Sequence, residues 1–352
     1  MSTVTPADRH ELATFLAGAT RAGATVRVHG AGSGAPRGLP LRADHSLSTL
    51  GLDRTIAYEP ADMTLTVEGG VPARAVRETL ERDGMSWPQA TLRENATVGG
   101  ILASAASGLG RLRWGPVRDS LLEVVICTGD GRLVRAGGRT VKGVAGYDLP
   151  RLVVGSLGTL GVIVEATIKL WPRPQAAGWF CCAGDQDALR ERAAGIVREA
   201  YRPGAVVLGS GELWVHVVGA EADVVAPEGM SSRDHGPSDG DPTALLVAAV
   251  SPRDLAGLTR DLDAADADSW AQFGVGICHI PLRSPDDIPR LRSLATSRGG
   301  HAQVVGGSHE FREDPWGPPP PGIEVMRRLR DAFDPAHVLN PGCFVGDAPA
   351  RV

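Results

Sequence analysis

Residues Gly99–Pro174 read GGILASAASGLGRLRWGPVRDSLLEVVICTGDGRLVRAGGRTVKGVAGYDLPRLVVGSLGTLGVIVEATIKLWPRP. Glycines stand in tight groups between apolar runs, the pattern expected where backbone comes close to a flat or anionic ligand. Ser120–Thr128 and Arg132–Ala136 predict a β-hairpin turning on Gly129-Asp130-Gly131. Leu149–Val154 reads as a short helix. Gly161–Leu170 reads as a β-branched strand that stops at Trp171-Pro172.

Working toward the N-terminus, residues 6–23 predict a helix with Leu12, Phe15, Leu16 and Ala19 on one face. Ala24–His29 is a short strand that runs into the loop Gly30-Ala31-Gly32-Ser33-Gly34. Gly30-x-Gly32-x-x-Ala35 formally satisfies the dinucleotide fingerprint G-x-G-x-x-G/A, which also requires a helix to open at the loop. Pro36, Gly38 and Pro40 follow at once, and no helix survives that spacing. The Rossmann reading is rejected. What remains is a turn whose successive N–H groups can form an anion nest, or else an ordinary glycine-rich surface turn. Thr64–Glu68 alternates as a strand, and Ala73–Asp83 is a helix that Pro72 can open.

Toward the C-terminus the texture changes near Pro174. Helices are predicted near Gln186–Ala200 and Ser251–Asp263, each followed by a strand-like passage. The first passage, Ala205–Val218, is a hairpin over Gly209-Ser210-Gly211-Glu212, and the second is Ala271–Pro281. This is an α+β layer with helices on one face of a sheet. Between the two lies a polar insert at 226–242, read as a solvated or disordered loop. Pro318–Pro321 is a stiff spacer, and Ile323–Phe333 is a basic helix that ends at Asp334-Pro335.

Composition bounds the rest. A chain of 352 residues allows two domains. With 22% charged residues and a net charge of −5, it offers no footprint for nucleic acid or an anionic membrane surface. No apolar run is long enough to span a bilayer, and the N-terminus lacks the basic start of an export signal, so a cytoplasmic location is expected. The five cysteines contain no C-x-x-C pair, so neither disulfides nor an iron–sulfur cluster is expected.

The order of motifs carries a resemblance. The loop at 30–34 is followed by Pro60–Gly70, Thr97-Val98-Gly99-Gly100, Gly-x-Val-Arg-Asp at 115–119, Lys142 to Asp148, and Gly155-Ser156-Leu157-Gly158-Thr159-Leu160-Gly161. This series resembles the FAD-binding domain of the vanillyl-alcohol oxidase/p-cresol methylhydroxylase (PCMH) superfamily, over residues 24–174. Lys-x-x-Ala-Gly-Tyr-Asp and Gly-Ser-x-Gly-Thr-Leu-Gly are similar to its glycolate oxidase and D-lactate dehydrogenase branch. The chain length, Gly-Glu-Leu-Trp-Val at 211–215 and the closing Asn340-Pro341-Gly342 resemble the FAD-binding subunits of glycolate oxidase.

The resemblance implies an α+β fold. A two-subdomain PCMH-type FAD-binding domain would occupy 1–174, an α+β cap 175–322, and a C-terminal helix and tail 323–352. It implies that Gly30, Ala31, Gly32, Ser33 and Gly34 hold the pyrophosphate. Thr97, Val98, Gly99, Gly100, Ser104 and Gly108 would line the second wall, with Gly158, Val162 and Ile163 at the adenine or flavin edge. Arg118, Asp119, Lys142, Tyr147 and Asp148 would lie near the flavin, where a cation can stabilise the negative charge of the reduced ring. For Arg118-Asp119 a plain loop ion pair is the competing reading. Covalent flavin in this superfamily uses a His just after the glycines of the loop. Ser33 and Gly34 stand there and His29 precedes the glycines, so FAD is expected to be non-covalent.

Relatives in this branch that oxidise 2-hydroxy acids carry His-x-Gly-Asp-Gly-Asn-x-His and Glu-His-Gly, and this sequence has neither. His216, His279 and His301 lack metal-ligand spacing, and Leu157 stands where those relatives usually have Glu. The resemblance therefore implies two alternatives. The chain is an FAD-binding, electron-relaying subunit that works with a catalytic flavoprotein subunit and an iron–sulfur subunit, with any membrane association coming through them. Otherwise it is a free-standing flavin oxidoreductase with a different substrate.

Overall fold

Valine-rich Val26–His29 forms the edge of a three-stranded parallel sheet, paired to His45–Ser48, which in turn pairs with Ser2–Val4. The computed structural model describes residues 2–90, 95–138, 148–199, 203–209, 211–237 and 243–347. The helix Arg9–Ala22 starts on the Asp8 side chain, which accepts from the N–H groups of His10 and Glu11. It ends on Gly23 in the left-handed region and buries Leu12, Leu16 and Ala19.

Next comes a five-stranded antiparallel sheet in the order Thr55–Glu59, Thr64–Glu68, Val162–Lys169, Leu121–Cys127, Leu133–Gly137. The predicted hairpin on Gly129-Asp130-Gly131 is the last pair of that sheet. Val162–Lys169 is buried along nearly its whole length, Glu165 and Thr167 included, because both of its faces are covered. Val162 and Val164 pack toward the first helix and the parallel sheet. Ile163, Ala166 and Ile168 pack toward the helices Ala73–Glu81 and Val98–Ala103. Trp171-Pro172, the predicted stop, makes a two-residue pairing with Met85-Ser86.

The second half is one eight-stranded antiparallel sheet. Its order is Ser231–Arg233, Ala176–Ala183, Glu212–Gly219, Ala205–Leu208, Trp270–Gln272, Ile277–Pro281, Ala244–Ala249, His301–Gly306. Helices Gln186–Glu199, Leu255–Ala264 and Asp287–Thr296 bury Leu189, Leu258 and Leu291 against one face, together with Val206 and Leu246. The predicted α+β layer with helices on one face is present. Two details differ from the sequence reading. Ala271–Pro281 is two strands, because Gly274 and Gly276 adopt φ of +77° and +86° and turn the chain back. The polar insert contributes an edge strand, Ser231–Arg233, paired to Trp179–Cys181.

The other sheet face carries Cys181, Ala205, Val207 and Trp214 and meets Leu109 of the first half. The C-terminal helix is Ile323–Phe333, as predicted. The tail beyond it does not stand apart. Leu339 bridges Val26 in parallel, and the Val26 N–H donates to the Val338 carbonyl at 2.7 Å. Among the described residues no helix is long and apolar enough to cross a membrane.

Candidate functional site

A cavity of about 510 Å³ opens where these pieces meet, within the range of small-molecule sites. One wall is the end of the cavity's first strand, Val26–His29, and the loop after it, from Arg27 to Gly30 and from Ala35 to Leu41. A second is the start of the helix Val98–Ala103, with Gly99, Gly100, Ala103 and Ser104. A third is the turn that feeds the central strand, with Leu157, Gly158, Gly161, Val162 and Ile163. Arg312, which follows the last strand of the eight-stranded sheet, and Asn340 and Cys343 from the tail close it.

The glycines here serve different purposes. A Cβ on Gly30 would overlap the Thr97 side chain, and one on Gly99 would come 2.8 Å from the Gly69 carbonyl. Those two positions are fixed by the protein's own packing. Thr97 is itself buried and caps the helix, accepting from the Gly100 N–H at 3.2 Å. Gly32 is different, with φ +68° and open space where a Cβ would stand, and Gly34 also faces open space. At these two positions the bare backbone looks outward rather than into protein.

Three other groups shape the cavity. The His29 ring nitrogens are both engaged, Nδ1 with the Gly30 carbonyl at 2.7 Å and Nε2 with the Ser46 hydroxyl at 2.8 Å. The carbonyl can only accept, so Nδ1 carries the proton and Nε2 accepts from Ser46. Asn340 is 4% exposed and adopts φ +45°. Its Oδ1 accepts from the Val28 N–H and its Nδ2 donates to the Leu157 carbonyl, each at 2.7 Å. One side chain thus ties the first strand to the Leu157 turn. The Cys343 thiol is pushed up by burial and donates to the Arg37 carbonyl at 3.7 Å, so it is held as a protonated, weakly nucleophilic thiol.

Of the predicted site residues, Gly30, Gly99, Gly100, Ser104, Gly158, Val162 and Ile163 come together on the cavity walls. Ala31, Gly32, Ser33 and Gly34 do not line it, although Gly30 and Ala35 on either side do. Thr97 and Val98 are buried behind the wall, and the Gly108 N–H bonds the Gln89 carbonyl at 2.9 Å, away from it. Arg118, Asp119 and Asp148 are not in the wall either. They belong to a solvent-facing chain of ion pairs, Arg118–Asp119 at 3.9 Å, Arg151–Asp119 at 3.5 Å and Arg151–Asp148 at 3.1 Å. Asp148 also caps the helix Leu149–Val153. Lys142 and Tyr147 lie outside the described residues. Sequence reasoning missed Arg27, Arg37, Arg312 and Cys343. It quoted Asn340 only as part of the closing motif.

On the eight-stranded sheet, imidazoles stack on indoles: His216 on Trp179 with centroids 4.5 Å apart, and His279 on Trp270 at 5.8 Å. Burial, with Arg113 nearby, pushes His216 down to about 4, so it is neutral at physiological pH. Among the described residues no group of three or more His, Cys, Asp or Glu is placed to hold a metal ion.

An FAD binding domain model matches residues 2–137. The chain is 36% identical to D-lactate dehydrogenase of Archaeoglobus fulgidus, an alignment covering 97% of this chain and 90% of that protein. It is 28% identical to glycolate oxidase subunit GlcE of Escherichia coli, covering 82% and 83%. It is 25% identical to glycolate oxidase subunit GlcD of Bacillus subtilis, covering 86% and 79%. Its fold is similar to that of alkyldihydroxyacetonephosphate synthase, with a TM-score of 0.66 and 15% identity over 96% of this chain and 75% of that one.

The fold is that of a PCMH-type FAD-binding protein. The chain belongs to the family of FAD-linked oxidoreductases that includes the D-lactate dehydrogenases and the glycolate oxidase subunits. The residues present fit that cofactor. The cavity has backbone-lined walls at Gly99-Gly100 and Gly161–Ile163, and among the described residues its charged lining is made of arginines.

Proposed function

We propose that the chain is the FAD-binding subunit of a glycolate-type 2-hydroxy-acid oxidase or dehydrogenase complex. It holds FAD non-covalently and supports or relays electron transfer for a catalytic flavoprotein subunit and an iron–sulfur subunit. The observation that carries this reading is a well-formed cofactor cavity beside a cap that lacks a metal-binding histidine set among the described residues. The similarity to a glycolate oxidase subunit over 82% of the chain supports the same class of complex.

Bound FAD supplies the capacity to accept a hydride or single electrons. This chain's own residues do the holding. Gly30, Gly99, Gly100, Val162 and Ile163, which line the cavity, would hold the cofactor edge with their backbone groups, and the open space at Gly32 and Gly34 would admit a phosphate beside the loop. Non-covalent attachment is supported by His29, whose two ring nitrogens are already bonded, and by the protonated Cys343. His216 and His279 are two of the cap imidazoles. His216 stays neutral and stacked, with no carboxylate among the groups that shift it, so it lacks the partner that a general base normally uses.

A second reading is a free-standing FAD-dependent oxidoreductase with its own substrate, favoured by the 36% identity to a D-lactate dehydrogenase over nearly the whole chain. Dye-linked oxidation of glycolate and D-lactate by the isolated chain, set against the chain reconstituted with its partner subunits, separates the two. Turnover only in the complex is expected. Robust turnover by the isolated chain overturns the subunit reading. Acid precipitation should release all flavin to the supernatant, and flavin retained in the pellet refutes non-covalent binding.

A further inference from the structure

Three arginines line the cavity, and among the described residues no carboxylate lines it with them. Arg27 comes from the strand Val26–His29, Arg37 from the loop after it, and Arg312 from the segment after the last strand of the eight-stranded sheet. Their bonds go to neutral acceptors. Arg27 reaches the Cys343 Sγ at 3.0 Å and the Leu41 and Pro341 carbonyls at 2.9 and 2.7 Å. Arg312 reaches the Gly307 and Gly38 carbonyls, each at 3.3 Å. Arg37 has no side-chain partner among the described residues. The nearby carboxylate, Asp347, is committed to Arg330 and to the Gly342 N–H.

Clustered cations repel one another more strongly as burial lowers the effective dielectric. That repulsion is visible here: burial and Arg27 both push Arg312 down, and burial pushes Arg37 down with no acid to offset it. An anion placed between the three converts the repulsion into attraction. Guanidinium forks suit phosphate oxygens in particular, because two N–H groups can meet two oxygens at once.

We propose that Arg27, Arg37 and Arg312 form a clamp for the diphosphate of the dinucleotide, so that cofactor binding also ties the cap to the FAD domain through Arg312. The proposal rests on the cavity being the FAD site. A diphosphate is favoured over a single substrate carboxylate for two reasons. Three cations converge on one cavity, and that cavity is continuous with the glycine turn at Gly30 and Ala35. The clamp differs from the backbone nest at 30–34 in being made of charge, so its contribution is screened by salt.

The test uses the full chain stripped of flavin and measures dissociation constants for FAD, ADP and riboflavin by fluorescence and calorimetry. Arg37→Gln and Arg312→Gln are expected to weaken FAD and ADP by about ten- to hundredfold each. Riboflavin, which has no phosphate, should be unaffected. Arg37→Lys should fall between wild type and Arg37→Gln. Raising NaCl should weaken FAD binding to wild type more than to either Gln variant.

Unchanged FAD and ADP affinity in both Gln variants, with wild type still binding FAD, overturns the clamp and leaves the cofactor site intact. An equal loss for riboflavin overturns it as well, because the cavity itself has then been damaged. The clamp is also overturned if FAD affinity is unchanged while glycolate perturbs the absorbance of bound flavin in wild type but not in the variants, since the arginines then read a carboxylate. If wild type binds neither FAD nor ADP, it is the underlying site reading that fails.

Discussion

Asn340 is the side chain on which the cavity's geometry can be tested most sharply. Replacing it with Ala removes the acceptor for the Val28 N–H and the donor to the Leu157 carbonyl, both at 2.7 Å. Each orphaned backbone group costs about 1–3 kcal/mol, and the lower end applies because Val28 and Leu157 are only half-buried. Alanine must also hold φ +45°, a conformation that Asn tolerates and that costs other residues roughly 1–2 kcal/mol. The expected loss is about 3–4 kcal/mol. Asn340→Gly keeps the backbone unstrained while losing both bonds, and should cost about 1–2 kcal/mol less. Asn340→Asp retains the acceptor but turns a carboxylate oxygen toward the Leu157 carbonyl, so it should be at least as damaging as Gly. Thermal and urea unfolding followed by flavin fluorescence would read both stability and cofactor release. An Asn340→Ala protein within about 1 kcal/mol of wild type, with full flavin content, would refute the assignment of Asn340 as the tie between the first strand and the Leu157 turn.

Two further outcomes are expected. Gly32→Val should strip flavin from soluble protein, read as the 450 to 280 nm absorbance ratio, because a β-branched residue cannot hold φ +68° without moving the loop. Full flavin content in that variant would show the loop to be a bystander. The second concerns pH. His216 has its pKa lowered from 6.5 to about 4 in the folded chain, so between those values the unfolded state binds the extra proton. Stability is therefore full above pH 6.5 and declines by up to about 3 kcal/mol as pH falls toward 4. His216→Asn should flatten that part of the pH–stability curve, and an unchanged slope would assign the acid sensitivity to other groups.

Much of the fold was legible in the sequence because its causes are local. The Gly129-Asp130-Gly131 turn fixes a hairpin wherever the hairpin sits, and Pro36 and Pro40 exclude a helix after the glycine loop whatever surrounds it. The same holds for Ile323–Phe333, whose ends are set by its neighbours. Gly274 and Gly276 carried a turn signal that a continuous-strand reading of Ala271–Pro281 passed over. Tertiary structure decided what depends on residues far apart in the chain. The order of the eight-stranded sheet, which recruits Ser231–Arg233 from a polar segment to its edge, follows from which edges remain unpaired rather than from the strands' own composition. The site divides in the same way. The glycines of two walls announced themselves by the backbone freedom they supply. Arg27, Arg37, Arg312 and Asn340 look in sequence like any surface arginine or turn asparagine, and they acquire a role only when strand, loop, cap and tail close around one cavity. Arg118 and Asp119 show the converse, for they stood beside a glycine motif and fold into a solvent-facing ion pair. A local motif constrains φ and ψ, whereas the electrostatics of a site depend on which charges the fold gathers and which it leaves in water.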